Sequence, residues 1–239
     1  MEQLRFGLIG CGRVAPRHAE SVDALPDARL VAVADVRESR AAHFAQHYGA
    51  DMLTDYRALL ARPDVDVVSI CTPSGLHAQM AIDALQAGKH VIVEKPIALS
   101  LADADRMIAT AAATGRKLCV VLQNRYNPPM QDLRRIVDEG RLGRLLLGNA
   151  TVRWYRPQEY YEDEWHGTWA MDGGALMNQS IHHIDALQWF MGRPESVFAF
   201  TGTLAHRMEA EDTGVAVIRF AGGALGSVEG MSWVVISYL

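Results

Sequence analysis

Along the first half of the chain, short apolar runs alternate with amphipathic stretches. The runs at 4–10, 29–35, 65–72, 90–95 and 117–122 are apolar on successive residues, the pattern of strands buried on both faces of a parallel sheet. Between them, segments 13–25, 38–48, 76–87 and 101–114 repeat their apolar positions at helical spacing. Gly49, Gly88 and Gly115 follow three of these segments, where a left-handed cap suits glycine. Strand followed by helix, four times over and closed by a fifth strand, predicts an α/β domain with a doubly wound parallel sheet, spanning 1–122.

After Gln123 the pattern changes. A helix is predicted over 127–140, with its prolines in the first turn. An alternating run over 145–156 reads as an amphipathic strand, and a polar aromatic loop leads to a helix over 174–191, ended by Gly192 and Pro194. GVAVIRFA and ALGSVEGMSW are two further strand patterns meeting at Gly222–Gly223, a hairpin signal. These elements predict a second, α+β domain over 123–239 with an open, mainly antiparallel sheet. The chain stops on SWVVISYL, apolar, uncharged and β-prone. Such an edge invites association, so the domain is expected either to be incomplete and C-terminally shortened or to be covered by another copy in a homo-oligomer.

Composition narrows the classes. The 239 residues are 49% hydrophobic and 21% charged, as in an ordinary globular protein. Net charge is −5 and no basic run exceeds a pair such as Arg134–Arg135, which argues against a nucleic-acid surface. No apolar stretch approaches the roughly 18 residues of a membrane helix, and the N-terminus lacks the pattern of a signal peptide. Cys11, Cys71 and Cys119 have no metal-ligand spacing; Cys71 and Cys119, inside apolar runs, are expected to be buried. A cytoplasmic protein without membrane contact or metal is the expectation.

Candidate chemistry begins at GCGRVA, residues 10–15, between the first strand and the first helix. Gly10 permits a tight turn, Gly12 lets the backbone approach a pyrophosphate, and Ala15 allows close packing, with Arg13 and Val14 in the same turn. The pyrophosphate would face the N–H groups at the helix start. Asp35, at the end of the second strand, can accept both ribose hydroxyls and repels a 2′-phosphate, which argues for NAD; Arg37 leaves NADP open or is a solvated helix-start charge. Thr72, Ser74 and His77 end the next strand at the cofactor-facing edge, where Thr72 and Ser74 also read as turn and cap residues. Glu94 and Lys95 close another buried strand and put a cation into the same crevice. In the predicted helix 174–191, Asn178, His182, Asp185 and Trp189 share one face, while His183 points elsewhere and reads as a packing or surface residue. His182 and Asp185 also have the spacing of two metal ligands, but no third is visible.

GCGRVA, Asp35, TPSGLH, EKP and the glycine-rich Asn–His–Asp helix, in this order, resemble the Gfo/Idh/MocA oxidoreductases along essentially the whole chain. The resemblance implies a Rossmann domain joined to an α+β domain whose open sheet serves in oligomer contacts. It implies catalytic roles for Lys95, Asn178 and His182, with Asn178 standing where the family usually has Asp. QNRYNPP, RPQEYYEDEWHGTW and DGGALMNQ resemble a narrower group, the UDP-N-acetyl-D-glucosamine-uronate 3-dehydrogenases of surface-polysaccharide synthesis, which also carry Asn at that position. His166 stands where that group leads one to expect Arg. The implied reaction oxidises the sugar 3-hydroxyl of a UDP-sugar with NAD. His182 would act as general base and Lys95 would steady the alkoxide, with the nicotinamide near Lys95. Arg125, Tyr126, Tyr160, Tyr161, Trp165, Trp169, Gln179 and Asp185 are the implied substrate contacts, the aromatic ones reading equally as loop packing. Two alternatives stay open: a dehydrogenase of a free sugar or inositol, and a non-catalytic NAD-binding regulatory protein.

Overall fold

The computed structural model describes residues 3–233 and divides into two compact units, 1–121 and 122–239. The first unit runs β1 (Leu4–Ile9), α1 (Ala15–Asp23), β2 (Ala28–Ala34), α2 (Glu38–Tyr48), β3 (Asp51–Leu53), α3 (Tyr56–Leu60), β4 (Val67–Ile70), α4 (His77–Gln86), β5 (His90–Val93), α5 (Leu101–Thr114) and β6 (Leu118–Val120). Its six strands are all parallel, in the order β3-β2-β1-β4-β5-β6, so the direction of winding reverses between β1 and β4.

The local chemistry explains the boundaries. Gly49 and Gly115 end α2 and α5 in the left-handed conformation, with φ of 65° at both. Ser100 starts α5 by accepting the Asp103 N–H at 3.1 Å. Apolar residues cover both faces of the central strands: Leu8, Val33 and Phe44 belong to one core, Ile70, Val91 and Met107 to the other. β3 and α3 lie where no element was predicted, because a three-residue, mostly exposed strand and a five-residue helix carry too little periodicity to read. One expectation is corrected: Cys119 is exposed, since β6 is the outermost strand and its neighbours shield only one side; Cys11 and Cys71 are buried.

The second unit runs α6 (Pro128–Asp138), β7 (Leu147–Arg153), α7 (Gly174–Asn178), α8 (Ile181–Met191), β8 (Pro194–Gly202), β9 (Thr213–Phe220) and β10 (Leu225–Met231). Its sheet has the order β7-β10-β9-β8; two of the three pairings are antiparallel and β7 joins β10 in parallel. Leu187 and Ile184 of α8 pack with Ala216, Phe220 and Val228 on one sheet face. The opposite face leaves Leu147, Phe198, Phe200, Val215, Val217 and Leu225 exposed. β8 was not predicted: eight of its nine residues are exposed, so no alternation marks it. The predicted single helix 174–191 is two, α7 and α8, broken at Gln179 and Ser180. The break seats the Ser180 side chain where a Cβ on Gly230 would lie, 2.4 Å from Ser180 Oγ. Of the apolar C-terminal run, residues 234–239 lie outside the described part. No described helix is long and apolar enough to cross a membrane.

Candidate active site

The turn between β1 and α1 sits at the carboxyl edge of the parallel sheet, at the reversal point where open α/β sheets take ligands. Gly10 has φ of 91°, and a Cβ there would lie 2.9 Å from the backbone carbonyl of Cys71, so no side chain fits. At Gly12 the contrary holds: a Cβ would meet nothing within 4 Å, which leaves the backbone open to a ligand. Val14 caps α1 without any side-chain bond to the helix, so no capping side chain competes with an anion at the helix start. Cys11, in the same turn, keeps its proton: burial, and then the Asp35 charge, push its thiol up to about 12.

Asp35 holds the turn together. Its Oδ2 accepts the Cys11 N–H and its Oδ1 the Arg37 N–H, each at 2.8 Å. An ionised carboxylate has about four acceptor positions, so both oxygens keep capacity for a diol. Arg37 is exposed at the start of α2, and Arg13 is exposed in the turn. Thr72 lies against Gly10, and its Oγ1 is buried with no hydrogen-bond partner within the protein. An orphaned buried hydroxyl at this turn is free to bond a polar ligand. These features fit a dinucleotide.

Ser74 is buried at the start of a 3₁₀ turn over Ser74–Leu76. His77 calls for a correction. It is 1% exposed, its Nδ1 lies 2.8 Å from the Pro96 carbonyl and its Nε2 2.9 Å from the Thr72 carbonyl. Both ring nitrogens are therefore committed, and His77 braces the Thr72 and Pro96 loops instead of reaching a cofactor. Burial lowers its pKa, which favours the neutral ring. Glu94 is likewise engaged: Oε1 lies 2.9 Å from His18 Nε2 and Oε2 accepts the Lys95 N–H at 3.1 Å. His18 went unnoticed in the sequence, where nothing distinguishes it from a helix-surface histidine. Lys95 is half-buried and is followed by a cis peptide bond to Pro96.

In the second unit, the DGG segment is organised by carboxylates. Asp172 is fully buried; it accepts the Gly167 N–H at 2.8 Å and the Asn178 side-chain amide. Asn178 ends α7, so it and His182 belong to different helices, which corrects the expectation of one continuous face. His182 is 8% exposed, and its Nε2 is 3.5 Å from Gln123 Nε2. Gln179 is buried, with neither amide atom bonded to protein. Glu211, not foreseen, caps α7 from the loop before β9: its carbonyl accepts the Ala175 N–H at 2.8 Å and its Oε1 the Leu176 N–H at 3.0 Å. Burial raises the Glu211 carboxyl above its usual range against the pull of the Leu176 bond, and the charges of Asp172 and Asp212 add to the rise.

Arg125 and Asp185 also need correcting as substrate contacts. They form a bidentate pair, 2.7 Å at Nε and 2.6 Å at Nη2, and Arg125 stacks 5.3 Å from the Trp189 ring. The pair pins the 3₁₀ turn Gln123–Tyr126 to α8 and neutralises both charges. It also takes Asp185 out of any metal reading with His182.

The aromatic loop folds on itself. Trp165 and His166 stack at 3.7 Å, Tyr160 meets His166 at 4.1 Å, and Tyr161 meets His206 at 4.7 Å. His166 is buried, with Nδ1 2.6 Å from Asp163 Oδ2, so it serves as a packing ring. Tyr161 is buried, and burial pushes its phenol up to about 12. Tyr126 and Trp169 are exposed at 78% and 52% and are left free for contacts. Arg156 lies over the Trp154 and Tyr160 rings at 5.1 and 5.4 Å.

Known proteins match both units. The family model "Oxidoreductase family, NAD-binding Rossmann fold" covers residues 4–122, and "GFO/IDH/MocA C-terminal domain" covers 130–237. A WlbA dehydrogenase of Chromobacterium violaceum, solved with NADH and UDP-GlcNAcA, is 40% identical, with a TM-score of 0.96 over 100% of this chain and 70% of that one. The WlbA dehydrogenase of Bordetella pertussis, solved with the same two ligands, is also 40% identical, with a TM-score of 0.96 over 100% of this chain and 69% of that one. The myo-inositol 2-dehydrogenase of Thermotoga maritima is 32% identical over 98% of this chain and 70% of its own length.

Proposed function

The chain belongs to the Gfo/Idh/MocA family of NAD-binding oxidoreductases, and from that membership we propose that it oxidises the 3-hydroxyl of a UDP-N-acetylhexosaminuronate to a ketone. NAD is the cofactor, and Gly10, Gly12, Asp35 and Thr72 are the residues shaped to hold it. One observation carries the choice of substrate: 40% identity across the whole chain with two enzymes solved with UDP-GlcNAcA, against 32% with an inositol dehydrogenase.

NAD, when bound, supplies the hydride acceptor. His182 takes the hydroxyl proton as the carbon–hydrogen bond is lost. Lys95 would place positive charge by the developing alkoxide. Asn178 cannot accept a proton; Asp172 orients its amide to position a substrate hydroxyl. Tyr126, Trp169, Tyr160 and Trp165 offer ring faces and polar tips to the sugar nucleotide, and Gln179 offers a buried amide. The product would serve surface-polysaccharide synthesis in the cytoplasm. The uncovered sheet face bearing Phe198, Val215 and Leu225 would join copies into an oligomer.

The inositol relatives favour a second reading, a dehydrogenase of a free polyol. Incubation with NAD and a panel of UDP-sugars, their uronates, free sugars and inositols separates the two. NADH formation with a UDP-uronate and a product two mass units lighter supports the proposal; turnover of inositol alone refutes it.

A further inference from the structure

Arg156 follows β7 and takes no part in the steps above. Its backbone is fastened on both sides: the N–H donates to the Ser232 carbonyl at 2.8 Å, and the carbonyl lies 2.8 Å from His206 Nε2. His206 is buried, and its Nδ1 lies 3.1 Å from Oδ2 of the buried Asp212. The Arg156 guanidinium lies over two rings, 5.1 Å from the centroid of Trp154 and 5.4 Å from that of Tyr160. Tyr160 in turn packs on His166, with ring centroids 4.1 Å apart. A planar cation stacked on rings that are themselves packed has little rotamer freedom left to lose when a ligand binds.

The fork of donors is built but barely used. A guanidinium carries five N–H groups. Among the described residues, Arg156 donates one side-chain bond, from Nη1 to the Tyr155 carbonyl at 3.1 Å, and no carboxylate lies within ion-pair distance of it. Other half-buried arginines are engaged: Arg5 with Asp66, Arg62 with Asp64, Arg125 with Asp185 and Arg134 with Asp138. The position of Arg156 matters as well. Trp154 meets His183 edge-on, with centroids 6.2 Å apart, so a ring under the guanidinium touches the first turn of α8, which carries His182. Ser180, just before α8, is seated on Gly230, and Arg156 bonds Ser232 two residues further on. The guanidinium and His182 therefore stand at the same end of the same sheet.

We propose that Arg156 recognises an oxyanion of the sugar nucleotide, the uronate carboxylate or the diphosphate, through paired N–H groups of its guanidinium. The inference rests on the substrate reading above and deepens it, since an uncharged polyol has no group to meet this cation. It is tested on the full chain by calorimetric titration in the presence of NADH. The ligands are UDP-GlcNAcA, UDP-N-acetylglucosamine, which lacks the carboxylate, and UDP. The variants are Arg156→Gln, which removes the charge, and Arg156→Lys, which keeps a charge without the fork.

Arg156→Gln should bind UDP-GlcNAcA about ten- to a hundredfold more weakly, the scale of a lost hydrogen bond between charged groups, with a shallower dependence on salt. Arg156→Lys should recover only part of that loss. A loss confined to UDP-GlcNAcA identifies the carboxylate as the partner; a loss shared by all three ligands, with the shallower salt dependence, identifies the diphosphate. If Arg156→Gln does not fold, Arg156→Lys carries the test, and its affinity for UDP-GlcNAcA must still fall below that of the unmodified protein. Undiminished affinity of the variant for UDP-GlcNAcA overturns the inference and leaves the substrate reading standing. A loss shared by all three ligands with unchanged salt dependence also overturns it, because that is the mark of general damage to the loop. If the unmodified protein binds none of the three ligands, the substrate reading fails and this inference fails with it.

Discussion

Gly174 is the most demanding position in the second unit. Its φ is 81°, and a Cβ there would lie 2.0 Å from Glu211 Oε2 and 2.3 Å from its Cδ. Glu211 is 4% exposed and fastened to the start of α7, so it has no room to swing aside. Gly174→Ala therefore carries two costs. A non-glycine residue in the left-handed region costs on the order of 1–3 kcal/mol. Displacing the Glu211 cap adds roughly 0.5–2 kcal/mol. A combined loss of about 3 kcal/mol should lower the unfolding midpoint of this unit by roughly 10 °C. Gly143→Ala is the control, since Gly143 has φ of 64° with nothing within 4 Å of a Cβ, so it bears only the backbone strain. Both variants, alone and with Glu211→Ala, are compared by urea unfolding followed by circular dichroism. The excess cost of Gly174→Ala over Gly143→Ala should vanish once Glu211 is removed. Equal costs for the two glycines, or an excess that survives Glu211→Ala, would refute the reasoning.

Asp35→Ser should narrow the preference for NAD over NADP, because a 2′-phosphate no longer meets a carboxylate; tighter binding of NADP than NAD by the unmodified protein, in a fluorescence titration, would contradict this. His182→Ala and Lys95→Ala should each cut kcat by about a hundred- to ten-thousandfold while His182→Ala leaves NAD binding intact; steady-state kinetics showing near-normal turnover in His182→Ala would sink the proposed base. The N–H groups of Leu204, Ala205 and His206 and the Thr213 hydroxyl outweigh burial at Asp212 and hold its carboxyl below the ordinary value. Its stabilising contribution is then complete above the unfolded-state value of about 3.9 and is lost as pH falls through the folded-state value, so Asp212→Asn should flatten the acid limb of the stability curve. Acid titrations of the two proteins that run parallel would count against it.

The first unit was legible because its order is local. Buried parallel strands must be apolar on both faces, and each is followed at once by a helix of period 3.6, so β1, β2, β4 and β5 announce themselves in one dimension. The dinucleotide turn is equally local: Gly10, Gly12 and Asp35 each answer to a backbone requirement that travels with the strand–turn–helix unit. The nucleotide reading and the family resemblance both follow from that.

What only the tertiary structure decided concerns partners far apart in sequence. Arg125 and Asp185, 60 positions apart, look like two contacts for a ligand until they close on each other. His18 and Glu94 lie 76 positions apart, and nothing around His18 marks it as the holder of the Glu94 carboxylate. Gly174 answers to Glu211, and a helix whose own sequence permits continuity is broken between Asn178 and Ile181, where Ser180 is seated on Gly230. β8 is exposed along its length and exists through its ladder with β9, not through its own pattern. Periodicity records which side of an element faces the core; the pairing of charges and the seating of side chains on glycines depend on the chain returning to itself, and no local pattern encodes that return.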